Sequence, residues 1–191
     1  HLPGATKYAT YSLIRGGPDF DDYLSLLASR ACLARVMKNH PFFDDWIFHE
    51  GNVPPHVQRR LSSLYPNMLF RDVQKIGAFA KPASVTVPPQ RQPDQYSEKY
   101  RIMCHFNAFE WYKQLWNYTR VMRVDEDVCV DALEGNPFDV GEYAYGVITE
   151  EFHELTKKTF APWISKYVSH TRVSPYVPPD ASRMFFTNFF V

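Results

Sequence analysis

Several features that often reveal a function are missing from this sequence of 191 residues. Its 21 basic and 21 acidic residues cancel, which argues against a general binder of nucleic acid or of anionic membranes. No apolar run approaches the ~18–20 residues that a transmembrane helix needs. The eight glycines form no phosphate-cradling loop. Any anionic ligand must therefore be held by a local group of side chains.

Cysteine is also scarce. Cys32, Cys104 and Cys129 show no Cys-x-x-Cys spacing, which argues against a zinc site and allows at most one disulfide. The sequence contains no serine-based or cysteine-based nucleophile motif. We expect the three cysteines to be buried thiols.

What is present is an alternation of β-rich and helical segments. The composition, 45% apolar and 16% aromatic, is typical of one globular domain covering residues 1–191. The segments are predicted strands at residues 8–14, 45–50 and 67–73, and predicted helices at residues 19–38 and 54–64. Such an alternation predicts an α/β fold with a mostly parallel central sheet flanked by helices. Ligands of such sheets bind at the carboxyl ends of the strands.

The second half is less regular. Residues 76–95 are rich in proline and are predicted to form a long loop. A helix begins at Ser97, and its predicted sheet-facing residues recur at helical spacing: Ile102, Phe106, Phe109, Tyr112 and Trp116. His105 on this helix is a ligand or a structural residue, and its aromatic surroundings favour the structural role.

Beyond residue 140 we expect a strand at residues 143–148 and a helix that starts near Phe152. The chain ends in an aromatic run at residues 185–191. Because fully burying each phenylalanine side chain is worth about 1.5–3 kcal/mol, this run is predicted to be an internal strand of the sheet.

The most informative stretch is an apolar run that ends in three acids, Asp125, Glu126 and Asp127. In an extended strand Asp125 and Asp127 would project to the same side. Two such carboxylates can hold one hard divalent cation, which can neutralise a diphosphate. The alternative is a solvated acidic turn without function. Arg15 follows the first strand and is either a phosphate contact or a surface side chain.

The motifs resemble those of the fungal-type Golgi α-1,2-mannosyltransferases. Residues 100–106, Tyr-Arg-Ile-Met-Cys-His-Phe, resemble the family's Y-R-x-M-C-R-F, and residues 123–127, Arg-Val-Asp-Glu-Asp, are similar to its R-V-E-P-D. Weaker similarities are Asp-Trp-Ile-Phe at residues 45–48, Tyr-Gly at residues 145–146 and Phe-Thr-Asn-Phe at residues 186–189. The resemblance implies a GT-A fold and a metal-dependent glycosyltransferase that uses GDP-mannose.

In the site implied by this resemblance, Asp125 and Asp127 hold Mn²⁺ or Mg²⁺, and Arg123 and Asp125 bind the nucleotide sugar. Arg15 is a further predicted nucleotide-binding residue, from its place after the first strand. The partners are the nucleotide sugar and a glycan or glycoprotein acceptor, with no nucleic acid. The expected location is the secretory-pathway lumen, in the Golgi, with a membrane anchor outside these residues. The sequon Asn117-Tyr118-Thr119 agrees with that location.

The sequence departs from the family at several positions. His105 replaces an arginine, Asp125 replaces the metal-binding glutamate, and Glu126 replaces a proline. Phe190 stands where the family has a glutamate proposed to act in catalysis, so the catalytic residue is unknown. The family's next segment is also absent, so we expect a domain that is incomplete at its carboxyl end. A second hypothesis is a non-catalytic structural or binding subunit of a larger assembly.

Overall fold

The computed structural model describes residues 7–39, 42–81, 83, 97–133 and 135–138, together with the backbone of four short strands between residues 145 and 190. The chain falls into two compact units, residues 1–143 and residues 144–190. In the described residues no helix is both long and apolar enough to cross a membrane.

The first unit is built on a sheet of four parallel strands. They are β1 (Tyr8–Ile14), β2 (Phe43–His49), β3 (Met68–Asp72) and β4 (Arg120–Val124), in the order β3-β2-β1-β4. The register pairs Tyr11 of β1 with Trp46 of β2 and with Arg123 of β4. The prediction of an α/β fold with a mostly parallel sheet is confirmed, and all four strands end at one edge, here called the carboxyl edge.

Two helices cover one face of this sheet. A short 3₁₀ helix (Phe20–Tyr23) leads into α1 (Leu24–Val36), and α2 (Pro55–Leu64) connects β2 to β3. Proline is tolerated in the first turn of α2 because the backbone N–H that it lacks would have no partner inside the helix. The helices and strands share one apolar cluster, whose buried members are Ile14, Tyr23, Leu26, Ile47, Val53, Val57, Leu61 and Met68.

The opposite face is covered by a helix with an irregular middle. It consists of α3 (Glu98–His105), a π-helical turn (Phe106–Glu110) and α4 (Trp111–Leu115). Phe106 and Leu115 are buried, and the Trp111 ring stacks on Tyr11 with 5.2 Å between ring centroids. Aromatic side chains therefore pack together on this face of the sheet, here called the aromatic face.

The predicted sheet-facing positions of this helix were wrong after Phe106. Phe109, Tyr112 and Trp116 are 58%, 50% and 80% exposed. The reason is the π-helical turn, in which hydrogen bonds span five residues rather than four. The wider turn shifts the helical phase, so the next contacts with the sheet come from Trp111 and Leu115.

The second unit contains two antiparallel strand pairs. β5 (Tyr145–Gly146) pairs with β8 (Phe189–Phe190), and β6 (Thr149–Phe152) pairs with β7 (Arg183–Phe186). Of the predicted strand at residues 143–148, the structure describes Tyr145–Gly146 as a strand, and β6 was not predicted. The aromatic end does enter strands, but as two short ones. The helix expected after Phe152 lies outside the described residues.

The shifted helical phase predicts different costs for two tryptophans. Trp111→Ala removes the stacking on buried Tyr11 and should lower the free energy of unfolding by about 2–3 kcal/mol. Trp116→Ala removes an exposed side chain and should change it by less than about 0.5 kcal/mol. Urea unfolding of both variants measures the difference. Equal losses would contradict the shifted phase.

Candidate functional site

The acidic residues lie in a turn at the carboxyl edge, directly after β4. The strand ends at Val124, and the backbone N–H of Val128 donates to the carbonyl of Asp125 at 3.2 Å. The alternation expected for an extended strand therefore does not continue through Asp125 and Asp127. The first acid is half-buried, whereas Asp127 is exposed.

Arg123 and Asp125 form a bidentate ion pair at the end of β4. The guanidinium Nε and Nη2 donate to Oδ1 and Oδ2 of the carboxylate, each at 2.7 Å. A fork of this kind fixes the plane of the carboxylate as well as its position. Each carboxylate oxygen keeps a second lone pair for another ligand. The sequence predicted both residues as site residues, but it did not predict that they are paired.

The electrostatics of the turn disfavour further negative charge. Burial raises the pKa of Asp125, Arg123 counteracts this shift, and Asp127 adds to it. Burial likewise raises the pKa of Glu126, a hydrogen bond from the Arg15 backbone lowers it, and the charge of Asp127 raises it. The three carboxylates thus repel one another. A bound cation would relieve that repulsion.

The end of β1 lies beside the same turn. Gly16 has a φ of +67°, and a Cβ atom there would lie 2.9 Å from Cγ2 of Val53, so only glycine fits this tight turn. The Tyr23 hydroxyl donates to the carbonyl of Gly17 at 2.7 Å and accepts from its N–H at 3.0 Å. Arg15 is exposed and interacts with Glu126. The fold therefore brings Arg15 to the acidic turn, as its position after β1 predicted.

The two most specific motif segments also meet in space. Cys104 on α3 is close enough to Arg123 for the guanidinium to oppose the rise that partial burial of the thiol causes in its pKa, although the residue as a whole is exposed. A hydrogen bond from Tyr100 acts in the same direction. Tyr100, Cys104, Arg123 and Asp125 therefore form one group on the aromatic face of the sheet.

A buried polar network on the other face was missed by the sequence analysis. Arg30 of α1 and Asp45 of β2 form an ion pair at 2.7 Å, and their side chains are only 2% and 3% exposed. Thr10 also donates to Asp45, at 2.7 Å. An available signal was that Arg30 lies at helical spacing between Leu26 and Leu33, on the apolar side of α1. A buried charge of this kind requires a partner.

Helix α1 is also linked covalently to the segment that follows the acidic turn. Cys32 and Cys129 form a disulfide with 5.3 Å between their Cα atoms, and Cys104 is exposed. The expectation of three buried thiols was therefore wrong. Sequence spacing could not reveal the pair, because 97 residues separate the two cysteines and only the fold brings them together.

The carboxylate oxygens of the turn suit a hard divalent cation, but they are too few to fill its coordination shell. Carboxylate oxygens are the protein ligands that Mg²⁺ and Mn²⁺ prefer. Among the residues that the structure describes, no group of three or more His, Cys, Asp or Glu is arranged to hold a metal. Asp125 and Asp127 could therefore supply only part of a coordination shell, and diphosphate and water oxygens would complete it. The side chain of Phe190 lies outside the described residues.

The solved structures that this chain resembles include a mannan synthase and a mannosyltransferase. Core-mannan synthase A (CmsA/Ktr4) from Aspergillus fumigatus, in its Mn/GDP form, is 17% identical with a TM-score of 0.71, over 100% of this chain and 60% of that one. Mannosyltransferase Ktr4p from S. cerevisiae is 18% identical with a TM-score of 0.66, over 90% of this chain and 46% of that one. The complex of the S. cerevisiae protein with GDP is 18% identical with a TM-score of 0.69, over 99% of this chain and 57% of that one.

These likenesses confirm the GT-A-like α/β fold, and they confirm the resemblance to the fungal mannosyltransferases at the level of fold. The chain spans between 46% and 60% of the length of these structures. No protein-family model matches the sequence, and no curated protein matches it.

The disulfide makes a direct prediction about thiol chemistry. In denaturant without reductant, an alkylating reagent should label one of the three cysteines, and peptide mapping should locate the label at Cys104. After reduction all three should be labelled. Three labels before reduction, in protein purified from an oxidising compartment, would contradict the pairing.

Proposed function

Because the chain shares its fold with these mannosyltransferases, we propose that it is the nucleotide-binding part of a divalent-metal-dependent glycosyltransferase. The reaction would move a hexose, mannose from GDP-mannose, to a glycan acceptor. The single observation that carries the proposal is the acidic turn at the carboxyl edge, in a fold whose solved neighbours include an Mn/GDP form and a GDP complex. Parallel α/β sheets bind their ligands at that edge.

Each site residue has a role that follows from its surroundings. Asp125 and Asp127 are the metal ligands, and Arg123 orients the carboxylate of Asp125 through its two hydrogen bonds. Arg15, exposed beside Glu126, contacts the diphosphate. A metal ion held by these carboxylates would supply positive charge to stabilise the leaving diphosphate. No proton transfer by the protein is needed for that step.

Nucleotide binding should depend on Mn²⁺. By calorimetry, GDP should bind at least about tenfold more weakly when Mn²⁺ is replaced by EDTA, because the metal bridges two groups of like charge. Asp127→Asn should remove most of this dependence. It should leave the unfolding temperature unchanged, because the side chain is exposed.

The matched control is Asp131→Asn, which removes another exposed aspartate from the same segment. Its ion pair with Arg35 is solvent-exposed and contributes little stability. This variant should keep the full Mn²⁺ dependence. Equal affinity for GDP with and without Mn²⁺ in the unmutated chain would refute the metal bridge.

A second candidate is a non-catalytic subunit that retains the nucleotide fold. It is favoured by Phe190, which stands where the resembling family has a glutamate, and by the engagement of both Asp125 oxygens with Arg123. The two candidates differ in turnover. A chain that binds GDP with Mn²⁺ but neither transfers nor hydrolyses the mannose of GDP-mannose is the non-catalytic form.

The disulfide and the sequon together support a location in the secretory-pathway lumen, with the Golgi as the compartment. Disulfides such as Cys32–Cys129 persist in oxidising compartments. Asn117 is exposed in the turn between α4 and β4, at the start of β4, whereas the acidic turn follows the end of that strand. A glycan on Asn117 would therefore leave the carboxyl edge open.

Native protein should consequently lose mass when treated with an endoglycosidase that releases N-linked glycans. Asn117→Gln should abolish this loss and should leave GDP binding unchanged, because the sequon lies at the opposite end of the sheet from the acidic turn. An unchanged mass after treatment of the native protein would remove the sequon from the argument. The disulfide alone would then support the compartment.

A further inference from the structure

One side of α1 is bonded to the segment that carries the acidic turn. Ser29, Cys32 and Arg35 follow one another at intervals of three and therefore share one stripe of the helix. The Ser29 hydroxyl donates to the carbonyl of Val128 at 2.6 Å, and it lies 3.3 Å from the carbonyl of Asp125. Further along the stripe is the disulfide to Cys129, followed by the solvent-exposed ion pair of Arg35 with Asp131, which adds little to this contact.

Arg30 contacts the same serine hydroxyls that bond to these carbonyls. Its guanidinium has only donors, so any hydroxyl that it contacts must accept. Nη1 donates to the Ser29 hydroxyl at 3.2 Å, and Nη2 donates to the hydroxyl of Ser12. Each hydroxyl then has its own hydrogen free to donate elsewhere. Ser29 donates to Val128, and Ser12 donates to the carbonyl of Val124.

Arg30 is itself fixed by Asp45. Its Nε and Nη2 donate to the two carboxylate oxygens at 2.7 Å and 3.1 Å, and Thr10 holds one of those oxygens from β1. All these side chains are buried. One rigid chain of hydrogen bonds therefore runs from β2 through α1 to the backbone on both sides of the acidic turn.

We propose that Arg30, held by Asp45, is the positioning residue of the acidic turn: it orients the hydroxyls of Ser12 and Ser29, which fix the carbonyls of Val124, Asp125 and Val128. The proposal rests on the metal-dependent function proposed above. It gives the buried ion pair a role in function, because it sets where the carboxylates of Asp125 and Asp127 point. Groups of this kind behind metal ligands typically change metal affinity by about 10–100-fold.

The geometry also explains why arginine is required. A lysine ammonium keeps the charge, but it lacks the planar fork that reaches a carboxylate and two hydroxyls together. Arg30→Lys should therefore weaken Mn²⁺ binding although the net charge is unchanged. Because breaking a buried ion pair can also prevent folding, a milder variant is needed beside it.

Ser29→Ala is that variant, and Ser62→Ala is its control. Ser62 is also a helical serine whose hydroxyl donates to a backbone carbonyl, that of Met68 at 3.1 Å, but it lies on α2. Replacing serine by alanine raises helix propensity by the same amount in α1 and α2, so this effect cancels between the two variants. Two quantities are measured in the full chain: the affinity for GDP with and without Mn²⁺, and the hydrogen exchange rate of the Val128 amide, which bonds to Asp125.

Ser29→Ala should lower the Mn²⁺-dependent part of the GDP affinity by about tenfold and speed the exchange of the Val128 amide by about tenfold. Ser62→Ala should change each by less than about twofold. A loss of unfolding temperature shared by both variants, with Mn²⁺ dependence intact in both, would mean that Ser29 is merely structural and would overturn the proposal.

The exchange rate of the Val128 amide distinguishes a failure of the proposed function from a failure of the positioning role. If the unmutated chain shows no Mn²⁺ dependence, the proposed function fails. Faster exchange of the Val128 amide in Ser29→Ala, but not in Ser62→Ala, would still show that α1 holds the backbone of the turn. An unchanged exchange rate would overturn the positioning role whatever the metal does.

Discussion

The carboxyl edge of this protein depends on the buried ion pair between Arg30 and Asp45. Leaving either charge without its partner inside the sheet and helix layers would cost about 3–5 kcal/mol. The pair is tolerated because Arg30 makes four hydrogen bonds inside the protein. Two go to the oxygens of Asp45, and one each goes to the hydroxyls of Ser12 and Ser29. The same bonds connect the core to the backbone of the acidic turn.

The two faces of the sheet hold different parts of the site. On the α1 side, polar residues and the disulfide hold the backbone around the turn. On the aromatic side, Arg123 fixes the carboxylate of Asp125 next to Cys104 of α3. Hydrogen bonds to its carbonyls and to the carboxylate of Asp125 thus hold the turn, while the side chain of Asp127 stays exposed. Rigid support of this kind suits an electrostatic site, because little reorganisation is then needed.

Local sequence patterns predicted the elements but not their long-range connections. The bounds of β1 and the order of strands and helices up to β3 followed from apolar periodicity. The π-helical turn at Phe106–Glu110 was not predicted, because it changes the period inside a continuous helical pattern. The Cys32–Cys129 disulfide and the Arg30–Asp45 pair depend on the fold itself. Alternation predicted Asp125 and Asp127 on one side of a strand. The chain instead turns after Val124, and Ser29 of α1 donates a hydrogen bond to the carbonyl of Val128 in that turn.

We propose that the acidic turn holds a metal ion, and that this ion binds the diphosphate of a nucleotide. Crystals grown with Mn²⁺ and GDP, measured with X-rays near the manganese absorption edge, test it most directly. We expect one anomalous peak, in contact with carboxylate oxygens of Asp125 and Asp127 and with the diphosphate of GDP. A peak elsewhere, or GDP bound away from the carboxyl edge with no peak at the turn, would contradict it.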